Sequence, residues 1–184
     1  MANKVKFGLR NVYYAVGETD ADGAMTYESP VRIPGAVNMT MDPQGDTTPF
    51  YADDIIYFTS TANNGYQGTL EVALIPDSFR TDVLGETTDS KGVFVETAGA
   101  ATNEFALLFE FQGDVNAIKH VFFRVTATRP AVNGQTQEAS ITPQTETLNI
   151  TAMPRINDHV VKARCPQTSQ AYATWYNAVY TITP

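Results

Sequence analysis

Residues 105–127 read FALLFEFQGDVNAIKHVFFRVTA. Phe105, Leu107, Phe109 and Phe111 recur at every second position, and so do Val121, Phe123, Val125 and Ala127 beyond a Gly113-Asp114 pair. In an extended strand alternate side chains point to opposite faces. The segment therefore predicts two antiparallel strands, each with one apolar face, joined by turn chemistry.

The same period recurs on both sides of it. Val37, Met39 and Met41 alternate with Asn38 and Thr40; Leu70, Val72 and Leu74 alternate with Thr69, Glu71 and Ala73. Leu148, Ile150 and Ala152 alternate with Thr147, Asn149 and Thr151. Each pattern places an apolar row on a core and a polar, mostly uncharged row elsewhere. Asp22-Gly23 separates Val12–Val16 from Met25–Tyr27, and Asn64-Gly65 stands between Ile55–Ser60 and Tyr66–Ile75 as a type I′ hairpin signal. One segment breaks the pattern. Pro76-Asp77-Ser78 offers a cap, Phe79, Val83 and Leu84 fall on one helical face, and Gly85 supplies the stop, so a helix is expected over about 77–84. A second helical turn is possible at Tyr172–Asn177. The fold expected is mainly β, an antiparallel β-sandwich or barrel with one short flanking α-helix and a long extended loop.

Composition agrees. The chain has 184 residues, 43% of them apolar, which is a comfortable size and content for one domain over 1–184. Charged residues are only 17%, and Thr is the commonest type. Such a surface suits pleated sheets and coverage by other subunits. The net charge of −8 argues against nucleic-acid binding through basic clusters. No apolar run is long enough for a membrane helix, and no apolar h-region follows Lys4 and Lys6.

Met41 to Tyr57 differs from its neighbours. It opens with a turn at Asp42–Asp46, then runs through a polar Thr47–Asp54 stretch with Phe50 and Tyr51 in the middle. It reads as a compact loop or as an extended hairpin reaching away from the sandwich. Residues 33–79 hold no Lys or Arg but contain Asp42, Asp46, Asp53, Asp54, Glu71 and Asp77, whereas bases concentrate at 4–10, 119–129 and 155–164. This asymmetry fits a subunit whose acidic end meets the basic end of another copy, although simple solvation of the acids explains it as readily.

No motif for catalysis or cofactor binding stands up. Glu18, Asp20, Asp22 and Gly23 imitate the start of a calcium loop, but Ser29 occupies the place of the bidentate acid, and a solvated turn is the better reading. His120 and His159 have no ligand partner at helical or loop spacing, and Cys165 has no catalytic partner nearby. Gly85–Gly92 has the wrong glycine–lysine spacing for a phosphate loop. Asp53-Asp54, taken as neighbours in a strand, would point to opposite faces and could not flank one bond. The sequons at Asn38 and Asn149 lie in predicted strands. No metal, cofactor or catalytic residue is expected, and an enzyme is not the reading.

Several stretches together resemble the major tail protein family of siphophages, in its phi-13-type branch. They are KVKFGLRNVYYAV (4–16), IPGAVNMTMDPQGDTTPFYADDIIYF (33–58), ANNGYQGTLEVALIPDSFRTDVLGE (62–86), FALLFEFQGD (105–114), TATRP (126–130), TETLNITA (145–152) and WYNAVYT (175–181). They cover most of the chain in order. The resemblance implies a structural subunit of a tail tube, self-assembling into hexameric rings stacked head to tail. Double-stranded DNA, preceded by the tape measure protein, would pass through the bore, and tail terminator and initiator proteins would bound the tube. It implies a place in the virion tail after assembly in the host cytoplasm.

The long loop, here about 41–57, would lock one ring to the next, with Asp46, Thr48, Pro49, Phe50, Tyr51, Asp53 and Asp54 at the contact. Polar rows at Asn38 and Thr40, and at Thr147, Asn149 and Thr151, would line the lumen or pack between subunits. A C-terminal segment, about 165–184, would serve as an arm. The rival is a β-sandwich binding module, or a baseplate or decoration protein. A binding module needs an exposed aromatic platform, for which Trp175 with Tyr172, Tyr176 and Tyr180 is the candidate.

Overall fold

The computed structural model describes residues 3–136 and 143–182. Part of the connection from Pro130 to Pro143 and the two chain ends lie outside them. In chain order the strands are β1 (Leu9–Thr19), β2 (Met25–Tyr27), β3 (Val31–Ile33), β4 (Ala36–Gln44), β5 (Thr47–Ala52), β6 (Ile55–Thr61) and β7 (Gly65–Val72). The helix α1 (Asp77–Asp82) follows, then β8 (Thr87–Thr88), β9 (Phe94–Val95), β10 (Phe105–Phe111), β11 (Ile118–Ala127), β12 (Glu146–Met153) and β13 (Lys162–Cys165). The fold is mainly β and antiparallel, as the alternation predicts, and is consistent with a β-sandwich.

The main sheet runs β2-β1-β10-β11-β12-β7-β4, with β3 also on β1 and β13 on β11. It curls so that β4, last in the order, lies beside β1. Inside the curl sits the larger core. Phe105, Leu107 and Phe109 of β10 meet Leu70 and Val72 of β7, Leu148, Ile150 and Ala152 of β12, and Phe79, Val83 and Leu84 of and after α1. The helix forms where expected, but its cap differs. Pro76 is the N-cap and no side chain caps the helix. The Tyr14 hydroxyl donates to Asp82 Oδ2 at 2.8 Å, tying α1 to β1.

The polar row expected opposite the Phe face of β10 is absent. Ala106 and Leu108 occupy it, fully buried in a second core on the outer side of β1, β10 and β11, and Glu110 is buried at the same strand face. The C-terminal segment covers this face with Trp175 and Val179, both buried, and with Tyr172, Tyr176 and Tyr180 packed around them. The predicted row of β11 is also split. Val121 and Phe123 belong to the outer core, while Phe122, Val125 and Ala127 belong to the inner one. A register shift between Phe105 and Leu107, opposite Val125 and Phe122, inserts an extra residue and turns the strand over.

Two smaller corrections have the same kind of cause. Val37 is exposed because a bulge lies between Ala36 and Asn38, and Leu74 is exposed because β7 ends at Val72.

Asn64-Gly65 is not a hairpin turn. β6 pairs with β5, and β7 pairs with β4 and β12, so the chain forms one long ribbon whose two arms are β4–β5 and β6–β7. The Asn64 amide donates to the Gln44 carbonyl, and the Ala62 amide to the Asp46 carbonyl, carrying the pairing across the break. Glycine is required at 65 for closeness: a Cβ there would lie 2.0 Å from the Ala152 carbonyl oxygen. Gly68 meets the same demand from the other neighbour, 1.8 Å from the Thr40 oxygen.

Candidate assembly surfaces

The ribbon ends in a hairpin, which settles the choice between compact loop and extended hairpin. Its turn is Asp53-Asp54, with φ of +52° and +60°. Two successive positive φ values are what a type I′ turn needs, and Asp tolerates them better than most residues. These two residues therefore sit at a tip, not in a strand. Phe50 faces Phe58 across the hairpin, Tyr51 faces Ile56, and Ala52 faces Ile55. Because successive residues alternate faces, both faces are apolar.

None of the described residues covers them. Phe50, Tyr51, Ile55, Ile56, Tyr57 and Phe58 are each 56–70% exposed. Thr48 faces Ser60, Pro49 faces Thr59, and the Thr47 and Thr61 hydroxyls meet at 3.1 Å near the root, beside Asp46. Pro43 in β4 and Pro49 in β5 remove amide donors from the same arm of the ribbon, which limits uncontrolled pairing along it.

The two predicted polar rows lie on one surface. β7 stands between β12 and β4, and its own side chains, Gln67, Thr69 and Glu71, join the rows. Thr147, Glu71 and Asn38 are aligned across the sheet, as are Asn149, Thr69 and Thr40, and Thr151, Gln67 and Asp42. This surface is opposite the face that carries Leu148, Ile150, Leu70 and Met39 into the core. It is polar and hydroxyl-rich, with Glu71 and Asp42 as its charges and no Lys or Arg among these aligned positions. Thr145 Oγ1 donates to Glu71 Oε1 at 2.6 Å, fixing that carboxylate.

A third surface was not foreseen. The N-terminal segment crosses the end of β10 and β11, where Lys4, Lys6 and Arg164 border a cavity of about 280 Å³ floored by Phe111, Ile118 and His120. Lys6 Nζ sits 4.4 Å over the Phe111 ring. His120 stacks on Phe109 at 5.2 Å and 6°. Burial, and then the charges of Lys162, Lys6 and Arg164, pull its pKa down to about 4, so the ring is neutral at pH 7. The only sequence signal for this groove is basic clustering at 4–10, 119–129 and 155–164, which does not say that the clusters meet.

The remaining candidates have structural employment. Asp20 Oδ1 accepts from the amides of Asp22 and Ala24, closing the β1–β2 turn at Asp22-Gly23. Cys165 is buried in the outer core. Among the described residues, no three His, Cys, Asp or Glu side chains are grouped to hold a metal, and no helix is long and apolar enough to cross a membrane.

The C-terminal aromatic cluster is not an exposed platform. Trp175 is 3% exposed and its indole nitrogen donates to the His120 carbonyl at 3.4 Å. Tyr13 stacks on Tyr176 at 4.6 Å, and Lys119 Nζ donates to the Tyr172 carbonyl at 2.7 Å. Glu110 takes Arg10 at 2.6 Å and lies 3.4 Å from the Tyr176 hydroxyl, which burial and this carboxylate hold protonated. The C-terminal segment thus packs on its own sheet.

An antiparallel β scaffold with a bare apolar hairpin and a broad hydroxyl-rich face is the scaffold of a structural protein that acts by contact. The phage tail tube protein family matches residues 2–178, and the chain belongs to that family. The family is structural and not enzymatic, its members self-assemble into a tube, and their place is the virion tail. No curated protein matches the chain significantly.

Proposed function

We propose that the chain, as a single domain, closes into hexameric rings that stack head to tail as the tail tube of a siphophage, of the phi-13-type branch that the quoted segments favour. The observation that carries this reading is the β5–β6 hairpin, whose six large apolar side chains are uncovered in the isolated subunit. Burying such side chains is worth about 1.5–3 kcal/mol each, so the hairpin offers on the order of 10 kcal/mol before ordering costs are subtracted. A monomer has no use for such a surface, and a repeating contact does.

In this reading the hairpin clasps the next ring, with Phe50 and Tyr51 as anchors and Asp46, Thr48, Pro49, Asp53 and Asp54 around them. The face of Asn38, Thr40, Thr147, Asn149 and Thr151, completed by Gln67, Thr69 and Glu71, lines the bore. Every fixed cation on a bore wall adds affinity for phosphate. A hydroxyl face with scattered carboxylates lets double-stranded DNA, and the tape measure protein before it, slide. Terminator and initiator proteins would bound the tube, and assembly would take place in the host cytoplasm. The binding-module alternative loses the platform proposed at Trp175, which is buried.

The test is direct. Phe50→Ala with Tyr51→Ala should leave the subunit folded, because neither side chain touches the core, and should abolish tubes in negative-stain micrographs of concentrated protein. Normal tubes from the double variant would refute the reading.

A further inference from the structure

The basic groove and the hairpin tip are complementary, and among the described residues neither has an oppositely charged partner. Among the described residues, ion pairs within 4 Å involve Arg10, Arg80, Arg124, Arg129 and Arg155, and no carboxylate lies that close to Lys4, Lys6 or Arg164. Asp114 is turned to the Lys4 backbone amide at 3.0 and 3.2 Å. No carboxylate among the described residues lines the groove, and its floor is Phe111, Ile118 and the His120 ring. The hairpin is the converse object: two carboxylates at the tip, aromatic and aliphatic side chains behind them, and no base anywhere in residues 33–79.

We propose that this groove is the receptor for the hairpin tip of a second copy of the chain. Asp53 and Asp54 would enter between Lys4, Lys6 and Arg164 while Phe50 or Phe58 packs on Phe111 and Ile118. The inference rests on the reading of the hairpin as a contact between copies, and adds where that contact lands. A bare anion would use the cations but leave the apolar floor wet. A free apolar peptide would leave the cations unpaired. The tip satisfies both, and each copy carries one groove and one tip, so the contact is heterologous and propagates without limit.

A charge exchange tests it. Three chains are compared by sedimentation of polymer at low salt: Lys6→Glu with Arg164→Glu, Asp53→Lys with Asp54→Lys, and all four changes together. Lys6, Arg164, Asp53 and Asp54 are exposed, and unchanged melting of the soluble protein would show that the variants fold. Each pair of changes alone should lower polymer at least about tenfold, and the combined chain should recover to within about twofold of the parent.

Full polymerisation of the groove variant would overturn the proposal, as would a combined chain no better than its worse parent. A groove variant that loses only DNA affinity, with assembly intact, would assign the groove to a polyanion and overturn it too. The hairpin reading fails separately. If Phe50→Ala with Tyr51→Ala stops growth while groove reversal does not, the clasp stands and its receptor lies elsewhere. If both are silent, the clasp itself is wrong.

Discussion

The chain has two aromatic-rich regions, and the fold treats them in opposite ways. Trp175, Tyr172, Tyr176 and Tyr180 close over the outer face of β1, β10 and β11 and are packed against Tyr13, Leu108 and Phe123. Phe50, Tyr51, Tyr57 and Phe58 stand on a two-stranded ribbon with solvent on both faces. Composition does not separate them. What separates them is where each segment returns. The C-terminal segment follows β13, which is paired to β11 and delivers it onto an apolar sheet face, whereas the hairpin leaves the sheet beyond Gln44 and Gly65 and has no second layer to meet. One cluster is satisfied by folding. The other is left for association.

Truncation should therefore have opposite signatures in the two regions. Trp175→Ala removes a buried ring that stacks on Tyr180 at 5.4 Å and leaves a cavity in the outer core. The expected loss is about 3–5 kcal/mol of unfolding free energy, read by chemical denaturation of unpolymerised protein. Tyr57→Ala, at 70% exposure, should stay within about 0.5 kcal/mol in the same assay. A Trp175→Ala loss below about 1 kcal/mol would break the comparison, since the C-terminal cluster would then not be anchored by its own sheet.

How much of this was legible beforehand follows the range of the interaction. The rows of β7 and β12 were readable because Leu70 with Val72, and Leu148 with Ile150 and Ala152, keep strict alternation through unbulged strands. The turn at Asp22-Gly23 and the helix after Pro76 were readable because their signals are local. The face switch within β11 was not, because a bulge is fixed by pairing with β10 and leaves Val121, Phe123, Val125 and Ala127 looking like one row.

Asn64-Gly65 misled for a related reason. Its glycine answers to the close approach of Ala152, far along the chain, and to a φ of +102°, and not to a hairpin turn. The exposed apolar surface of the hairpin was half legible. Phe50 and Tyr51 stood out in a polar stretch, while residues 55–60 read only as the arm entering a hairpin at Asn64-Gly65. The unbroken apolar run of Ile55, Ile56, Tyr57 and Phe58, with no polar alternate row, was the sign that both faces wait for a cover.

His120 lies between the two worlds, stacked on core Phe109 and flooring the basic groove. Its folded pKa, near 4, is below its ordinary 6.5. Above pH 6.5 the ring is neutral in both states and the full stability is present. As pH falls from 6.5 to 4 the unfolded chain takes up a proton that the folded chain refuses, and stability drains until the folded ring also protonates. Allowing for solvent screening at its open side, roughly 1–2 kcal/mol should be lost. His120→Phe keeps the stack and removes the titration. The difference between parent and variant in denaturation midpoint should therefore change from pH 7 to pH 4.5 in the variant's favour, with the carboxylates common to both cancelling. An unchanged difference would place His120 in open water.

The smallest effect expected is at the hairpin tip, and it separates the shape of the clasp from its charge. Asp53 and Asp54 hold positive φ, a conformation that Asn-Gly adopts with less strain. Asp53→Asn with Asp54→Gly should therefore stabilise the turn by about 0.5–1 kcal/mol. Global unfolding should barely register it, because the hairpin shares no buried core with the sheet. Amide exchange at Ala52 and Ile55, next to the turn, should slow by a few fold, since local opening governs exchange there. The same variant lacks both carboxylates. If the tip works by charge, polymerisation at low salt should slow even though the hairpin is better formed; if it works by shape alone, polymerisation should quicken. A slower assembly from a stiffer hairpin is the outcome that tip carboxylates, and not hairpin order, would produce.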